Sequence, residues 1–291
     1  MKGLLSLSGI PDDKILQIIQ TALEFKRNLK RVSYSDLRMA TLFFENSTRT
    51  QYSFQMAMMN LGITPVAINV STSSVNKGES IYDTVRTLES IGISGVVIRH
   101  SRDGYFKELE NVKIPVFNAG DGSTGHPTQT LLDLVTIYEE FGRFEGLKVS
   151  FAGDISHSRV AHGNSEIMKR LGMEVCISCP DEFADDTAPR LDFDEAVATS
   201  DVINLLRVQF ERHSGGMSMS AAEYHARYGL TLERVAKMKE GAIIIHPAPI
   251  NRGMEIADEV AECEKSRIFR QMENGVYARM AVIHMVLEGL L

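Results

Sequence analysis

Short apolar runs alternate with longer amphipathic stretches along the whole chain. Runs of strand length occur at 39–44 (MATLFF), 64–70 (TPVAINV), 94–99 (SGVVIR), 114–118 (IPVFN), 147–152 (LKVSFA), 173–178 (MEVCIS), 201–206 (DVINLL) and 241–245 (GAIII). Stretches with helical spacing lie between them, at 13–30, 49–61, 79–92, 127–142, 158–171, 231–239 and 275–290. The strands are apolar almost throughout rather than alternating, which predicts an α/β fold with mostly parallel sheets covered by helices on both faces. Eight strands over 291 residues suit two such domains. The expected division is 1–135 plus 275–291 for one domain and 136–274 for the other. The helix opening at Pro127 carries the chain across, and the last helix returns to the first domain. Thr48-Arg49-Thr50-Gln51 matches a capping box at a helix start. Residues 208–230, with Gly215-Gly216 and little periodicity, read as a mobile loop.

Charge narrows the ligand. The net charge is −7, which opposes nucleic acid and anionic membrane surfaces. An anionic ligand must therefore be held by local groups. No apolar stretch approaches the roughly 20 residues of a membrane span, and the N-terminal run is broken by Gly9 and Pro11. Cys176, Cys179 and Cys263 cannot all pair, so a cytoplasmic location is expected. Cys176 and Cys179 match C-x-x-C but end a strand instead of opening a helix, so they read as core thiols.

The candidate chemistry clusters where strands end. Ser47-Thr48-Arg49-Thr50 follows MATLFF and opens a helix. Hydroxyls, helix-start N–H groups and a guanidinium fork suit a phosphate, against the plainer reading of a cap with a solvated arginine. Arg99 and His100 end another strand. His126 and Gln129 stand at a helix start, where a neutral imidazole donates to a carbonyl oxygen. Arg159 follows LKVSFA, and Arg207 with Gln209 follows DVINLL, which suggests a substrate with two carboxylates. His246-Pro247-Ala248-Pro249 forms a rigid turn whose carbonyls can accept from an amine, with a cis bond among the options. Gly120, Gly122 and Gly125 match G-x-G-x-x-G, but His126-Pro127 crowds the helix start and a structural turn is the commoner meaning. No P-loop, G-x-S-x-G or H-E-x-x-H pattern occurs, so the expected chemistry uses no metal, no cofactor and no covalent intermediate.

Taken together, FFENSTRT, SSVNKGES with DTVRTLESIG, VIRH, HPTQTLLDL, GDISHSRVA, LLRVQFER and HPAPINRG resemble the aspartate/ornithine carbamoyltransferase family in order and spacing over nearly all of the chain. The R-V-Q element, and H-P-A-P where ornithine enzymes typically carry H-C-L-P, place the resemblance on the aspartate side. It implies a homotrimeric two-domain catalytic chain that carbamoylates L-aspartate, an early step of de novo pyrimidine biosynthesis. It also implies roles. Ser47, Thr48, Arg49 and Thr50 would hold the phosphate, and Arg99, Thr50 and His126 would polarise the carbamoyl oxygen. Gln129 and the backbone at Ala248 and Pro249 would fix the carbamoyl NH2. Arg159, Arg207 and Gln209 would hold aspartate, with Ser73 and Lys77 supplied by a neighbouring subunit. Gln51 and Gln55 depart from the arginine and glutamate common there, and His162-Gly163-Asn164 is an uncommon continuation expected to alter the following helix's first turns. The alternatives are carbamoyl transfer to another amine such as ornithine, a dinucleotide oxidoreductase using the three glycines, and a non-catalytic anion-binding module.

Overall fold

The computed structural model describes residues 3–208 and 219–291, and the chain divides into two compact units, Met1–Val135 with Met272–Leu291, and Thr136–Gln271. The first unit holds strands β1 (Gly3–Leu4), β2 (Arg38–Phe43), β3 (Thr64–Ile68), β4 (Gly95–His100) and β5 (Val116–Asp121). They form one parallel sheet in the order β1-β5-β4-β2-β3. Helices α1 (Asp12–Lys26), α2 (Thr48–Asn60) and α3 (Ile81–Ser90) connect them. Helix α4 (Pro127–Phe141) follows β5 and contains the boundary between the units.

Sequence pattern explains this packing. In α3, Ile81, Val85 and Leu88 recur at helical spacing and form one buried face. They pack with Ala40, Leu42, Val96, Ile98 and Val116, the residues of one sheet face, and with Tyr105 and Leu109 from a short 3-10 segment. Their alternates Met39, Val97 and Phe117 are equally buried, so this sheet is covered on both sides. Full burial of such a side chain stabilises by about 1.5–3 kcal/mol.

The second unit holds β6 (Lys148–Ala152), β7 (Glu174–Ser178), β8 (Val202–Leu205) and β9 (Ile243–Ile245), parallel in the order β7-β6-β8-β9. Its helices are α5 (Arg159–Arg170), α6 (Phe193–Thr199), α7 (Ala221–Tyr228) and α8 (Leu232–Val235). The terminal α9 (Ile268–Leu287) runs mostly within the first unit, where Lys26 Nζ donates to Asn274 (2.6 Å) and the Tyr34 hydroxyl to Glu288 (2.7 Å).

Several elements differ from expectation. Helix α6 is short and acidic at its start, too few turns for its apolar spacing to stand out; Asp192 caps it by accepting from the Asp194 and Glu195 amides. The expected loop 208–230 contains α7, closed by a capping box in which Ser220 and Glu223 each accept the other's backbone N–H. Conversely, the box expected at Thr48–Gln51 does not form. Ser47 is the N-cap and makes no side-chain cap bond. Helix α5 runs unbroken through His162-Gly163-Asn164, with His162 Nε2 2.7 Å from Asp185 Oδ2.

Chain order creates a reversal in each sheet. β3 lies on one side of β2 and β4 on the other; β7 and β8 flank β6 in the same way. Crevices beyond the carboxyl ends at such reversals are where open α/β sheets bind ligands. In the second unit the crossing is tight. Gly153 has φ +137°, and a Cβ there would lie 2.5 Å from the Leu206 carbonyl oxygen. Gly153→Ala is therefore expected to destabilise by about 1–3 kcal/mol, lowering Tm by roughly 2–4 °C per kcal/mol in a differential scan. An unchanged Tm would refute that crowding.

Candidate active site

At the reversal in the first sheet, three connections meet. Strand β2 leads through Phe44–Ser47 into α2, and the residue partnered with Phe43 across the ladder is Arg99, near the end of β4. Phe44 N–H donates to the Arg99 carbonyl (2.9 Å), locking the two strand ends together. The Arg99 guanidinium lies 3.2 Å from Glu45 and donates to the Ala119 carbonyl on β5 (3.3 Å), which fixes its aim. Glu45 carried no signal in the sequence beyond its place beside the hydroxyl cluster.

The α2 start is open to a ligand. Thr48 and Arg49 are exposed and Thr50 is buried. The Ser47 side chain makes no cap bond to the first-turn amides, an arrangement that an anion would complete. Thr50 Oγ1 lies 3.4 Å from His126 Nε2, which joins this loop to the start of α4. Gln129 sits one turn on, its N–H donating to the His126 carbonyl (2.9 Å). Its side-chain amide donates to Asp133 Oδ1 (2.9 Å), so its oxygen is the atom turned to accept from elsewhere. Behind Asp133 stands Arg279, buried over the Phe54 ring at 5.0 Å and donating to the Gly275 carbonyl (2.8 Å). Burial pushes the Arg279 guanidinium down to about 9, and the nearby Asp133 charge opposes that shift. Gln55, at a departure from the family's common residue, donates to Thr41 and ties α2 to β2 (3.4 Å).

The structure thus gathers Ser47, Thr48, Arg49, Thr50, Arg99, His126 and Gln129 around the ends of β2, β4 and β5. Ser73 and Lys77 belong to another loop of the same unit. Ser73 Oγ donates to the Val70 carbonyl (2.8 Å) and caps the Ser74–Lys77 turn, and Lys77 is exposed.

The glycine motif is a turn filled by acid. Asp103 accepts from Ser123 N–H (2.7 Å) and Asp121 from Gly104 N–H (3.1 Å). A Cβ at Gly122 would fall 1.9 Å from Asp103 Oδ1. The Asp103 carboxylate occupies a place where a pyrophosphate reading needs open amides.

In the second unit, Arg159 is the first residue of α5 after β6, behind Ser158, whose Oγ accepts from Ala161 N–H (3.1 Å). Arg207 follows β8, beside β6 in the sheet, so both arginines stand at that reversal. Gln209 lies outside the described residues. The turn after β9 has a cis Ala248-Pro249 bond, and Ala248 adopts φ +54°, a region costing a non-glycine residue about 1–2 kcal/mol. Asn251 Nδ2 donates to the Val208 carbonyl (3.2 Å), tying that turn to the segment after Arg207.

The cysteines are free thiols, Cys176 and Cys179 buried. Burial raises both, Cys179 to about 12. A thiol-specific reagent at pH 8 is expected to react with Cys263 in the native protein and with the other two only after unfolding. Fast reaction of more than one thiol per chain would contradict it.

The chain is similar to known proteins along nearly its whole length. Residues 2–139 match the family model for the aspartate/ornithine carbamoyltransferase carbamoyl-phosphate-binding domain, and 145–286 match that for the aspartate/ornithine-binding domain. The aspartate carbamoyltransferase catalytic subunit of Staphylococcus carnosus is 48% identical over 289 residues, 99% of this chain and 96% of that protein. Crystal structures of the Trypanosoma cruzi aspartate transcarbamoylase are also similar. The complex with carbamoyl phosphate has TM-score 0.88 and 31% identity, covering 97% of this chain and 94% of that one. The complex with carbamoyl phosphate and aspartate has TM-score 0.85 and 31% identity, covering 97% and 95%.

Proposed function

The chain belongs to the aspartate/ornithine carbamoyltransferase family, and from that premise we propose that its strand ends divide one reaction between them. The chain transfers the carbamoyl group of carbamoyl phosphate to the amine of L-aspartate, giving N-carbamoyl-L-aspartate and phosphate. The observation that carries the assignment of roles is Thr50 Oγ1 at 3.4 Å from His126 Nε2, which puts the hydroxyl–arginine loop and the imidazole in one place.

In this reading Ser47, Thr48, Arg49 and Thr50 take the phosphate at the start of α2. The aspartate amine attacks the carbamoyl carbon, and negative charge grows on the carbamoyl oxygen. Arg99, His126 and Thr50 donate to that oxygen; a preorganised donor of this kind contributes about 2.7–4 kcal/mol to the transition state. Glu45 and the Ala119 carbonyl hold Arg99 in place beforehand. Gln129 and the Ala248–Pro249 carbonyls accept from the carbamoyl NH2. As the new C–N bond forms, the C–O bond to phosphate breaks and the departing phosphate takes the amine proton. Arg159, Arg207 and Gln209 hold the aspartate carboxylates.

A homotrimer with shared sites in the cytoplasm completes the reading. On α2, Tyr52, Met56 and Met59 form an exposed apolar stripe at helical spacing, 60%, 45% and 49% accessible. A second copy covering that stripe would bring one of its own loops beside Arg49. The exposed Ser73–Lys77 loop, with its cation, fits that part.

Purified chain with carbamoyl phosphate is expected to form N-carbamoyl-aspartate from aspartate and no citrulline from ornithine; the reverse would overturn the substrate assignment. Arg49→Ala and Lys77→Ala chains, each inactive, are expected to regain activity when reshuffled into hybrid trimers. Confirmed hybrids that stay inactive would place the site within one chain.

A further inference from the structure

His246 is 1% exposed and follows β9 directly, yet no step above uses its ring. Its surroundings define its protons. Ala248 N–H points at His246 Nδ1 at 2.8 Å. A backbone N–H can only donate, so Nδ1 is the unprotonated nitrogen and the proton sits on Nε2. Nε2 then donates to Glu255 Oε1 at 3.3 Å, and Glu255 is also 1% exposed. The same oxygen accepts from Asn251 N–H (2.5 Å), at the far end of the turn. His246 N–H in turn donates to Gln271 Oε1 (2.8 Å). The ring is thus held on both sides and presents one acceptor to the backbone two residues on.

What it holds is a residue in an unfavourable conformation. Ala248, at φ +54°, has a Cβ and none of glycine's freedom. Strained backbone persists where its surroundings over-determine it, and such places cluster at sites that must be preorganised. Here the over-determining group is identifiable as the His246 acceptor, itself fixed by Glu255.

Resting on the reading above, in which the Ala248 carbonyl accepts from the carbamoyl NH2, we infer that His246 is a positioning residue. Through the Ala248 N–H it fixes the turn so that the Ala248 carbonyl faces the substrate before binding. Glu255 sets the tautomer that makes this possible.

The test compares three substitutions with steady-state kinetics and thermal melting. His246→Asn keeps a side-chain acceptor able to reach the N–H two residues on. His246→Gln carries the same amide one methylene too far, and His246→Leu has no acceptor. The Gln and Leu chains are expected to lose about 10- to 100-fold in kcat/KM for carbamoyl phosphate, the scale of a misplaced contact. Saturating carbamoyl phosphate should leave their KM for aspartate near wild type. The Asn chain is expected to recover most of the loss. Asn and Gln chains that melt alike but show the same kinetic defect would overturn the role, as would wild-type kinetics in either the Gln or Leu chain. Should the Leu chain not fold, the Asn–Gln pair decides. A wild-type chain that makes no N-carbamoyl-aspartate would remove the underlying reading itself.

Discussion

A chain of net charge −7 that handles two anions must concentrate positive potential locally, and the parallel sheet decides where. Within each sheet, every described strand runs parallel to its neighbours. Strand carboxyl ends and the helix starts that follow them are therefore brought to one edge of each sheet, with amides and positive helix ends pointing outward. Chain order then opens a crevice at that edge in each unit. Arg49, Arg99, Arg159 and Arg207 all stand just past or near the ends of β2, β4, β6 and β8, the strands that flank the two reversals. The arginines follow from this geometry, since a guanidinium elsewhere on the sheet would meet packed side chains.

This also explains what could be read from the chain before folding. Strands buried on both faces are apolar without interruption, so eight of the nine strands among the described residues stood out; β1, two residues long, had no pattern to show. Strand-end residues were legible because they break an apolar run at a known place: Arg99 ends VIRH, and Ser47–Thr50 ends FFEN. Short helices such as α6 and α7 were hidden because their stability comes from caps and tertiary packing rather than a long apolar stripe. The G-x-G-x-x-G match, read as a turn, left its filling unread for a related reason. Glycine spacing reports a tight turn, and the group that takes its Ser123 amide, Asp103, lies outside the motif.

Less legible still were the residues that orient the ligand groups. Glu45, Asp133, Glu255 and Arg279 carry no pattern that names their partners, some of which are distant in sequence (Arg99 for Glu45, Phe54 for Arg279) and some near (Gln129 for Asp133, His246 for Glu255). Sequence patterns record which face of an element is buried. They do not record which buried polar groups meet, because that depends on the register of one element against another. A buried charge does leave one trace: it needs room. Gly275 would place a Cβ 2.5 Å from the Arg279 guanidinium, so a glycine stands inside a long helix where alanine would otherwise be preferred.

The cost of that arrangement argues for its use. Burying a guanidinium is expensive unless it is paired and hydrogen-bonded, and an apolar side chain packed against Phe54 would be at least as stable. Arg279 is nonetheless placed there, with Asp133 offsetting part of the burial penalty. Asp133 in turn accepts one hydrogen bond from the Gln129 amide nitrogen, leaving the oxygen as that side chain's acceptor end. An amide can turn over and exchange its donor and acceptor ends with little change in shape. A site that must accept from an NH2 group, and not donate to it, needs something behind the amide to forbid that exchange. A carboxylate does so by being an acceptor only. In the proposed reading, the first unit orients the Gln129 side-chain oxygen through Asp133, the second orients the Ala248 backbone oxygen through the His246 imidazole, and each settles its direction before substrate arrives.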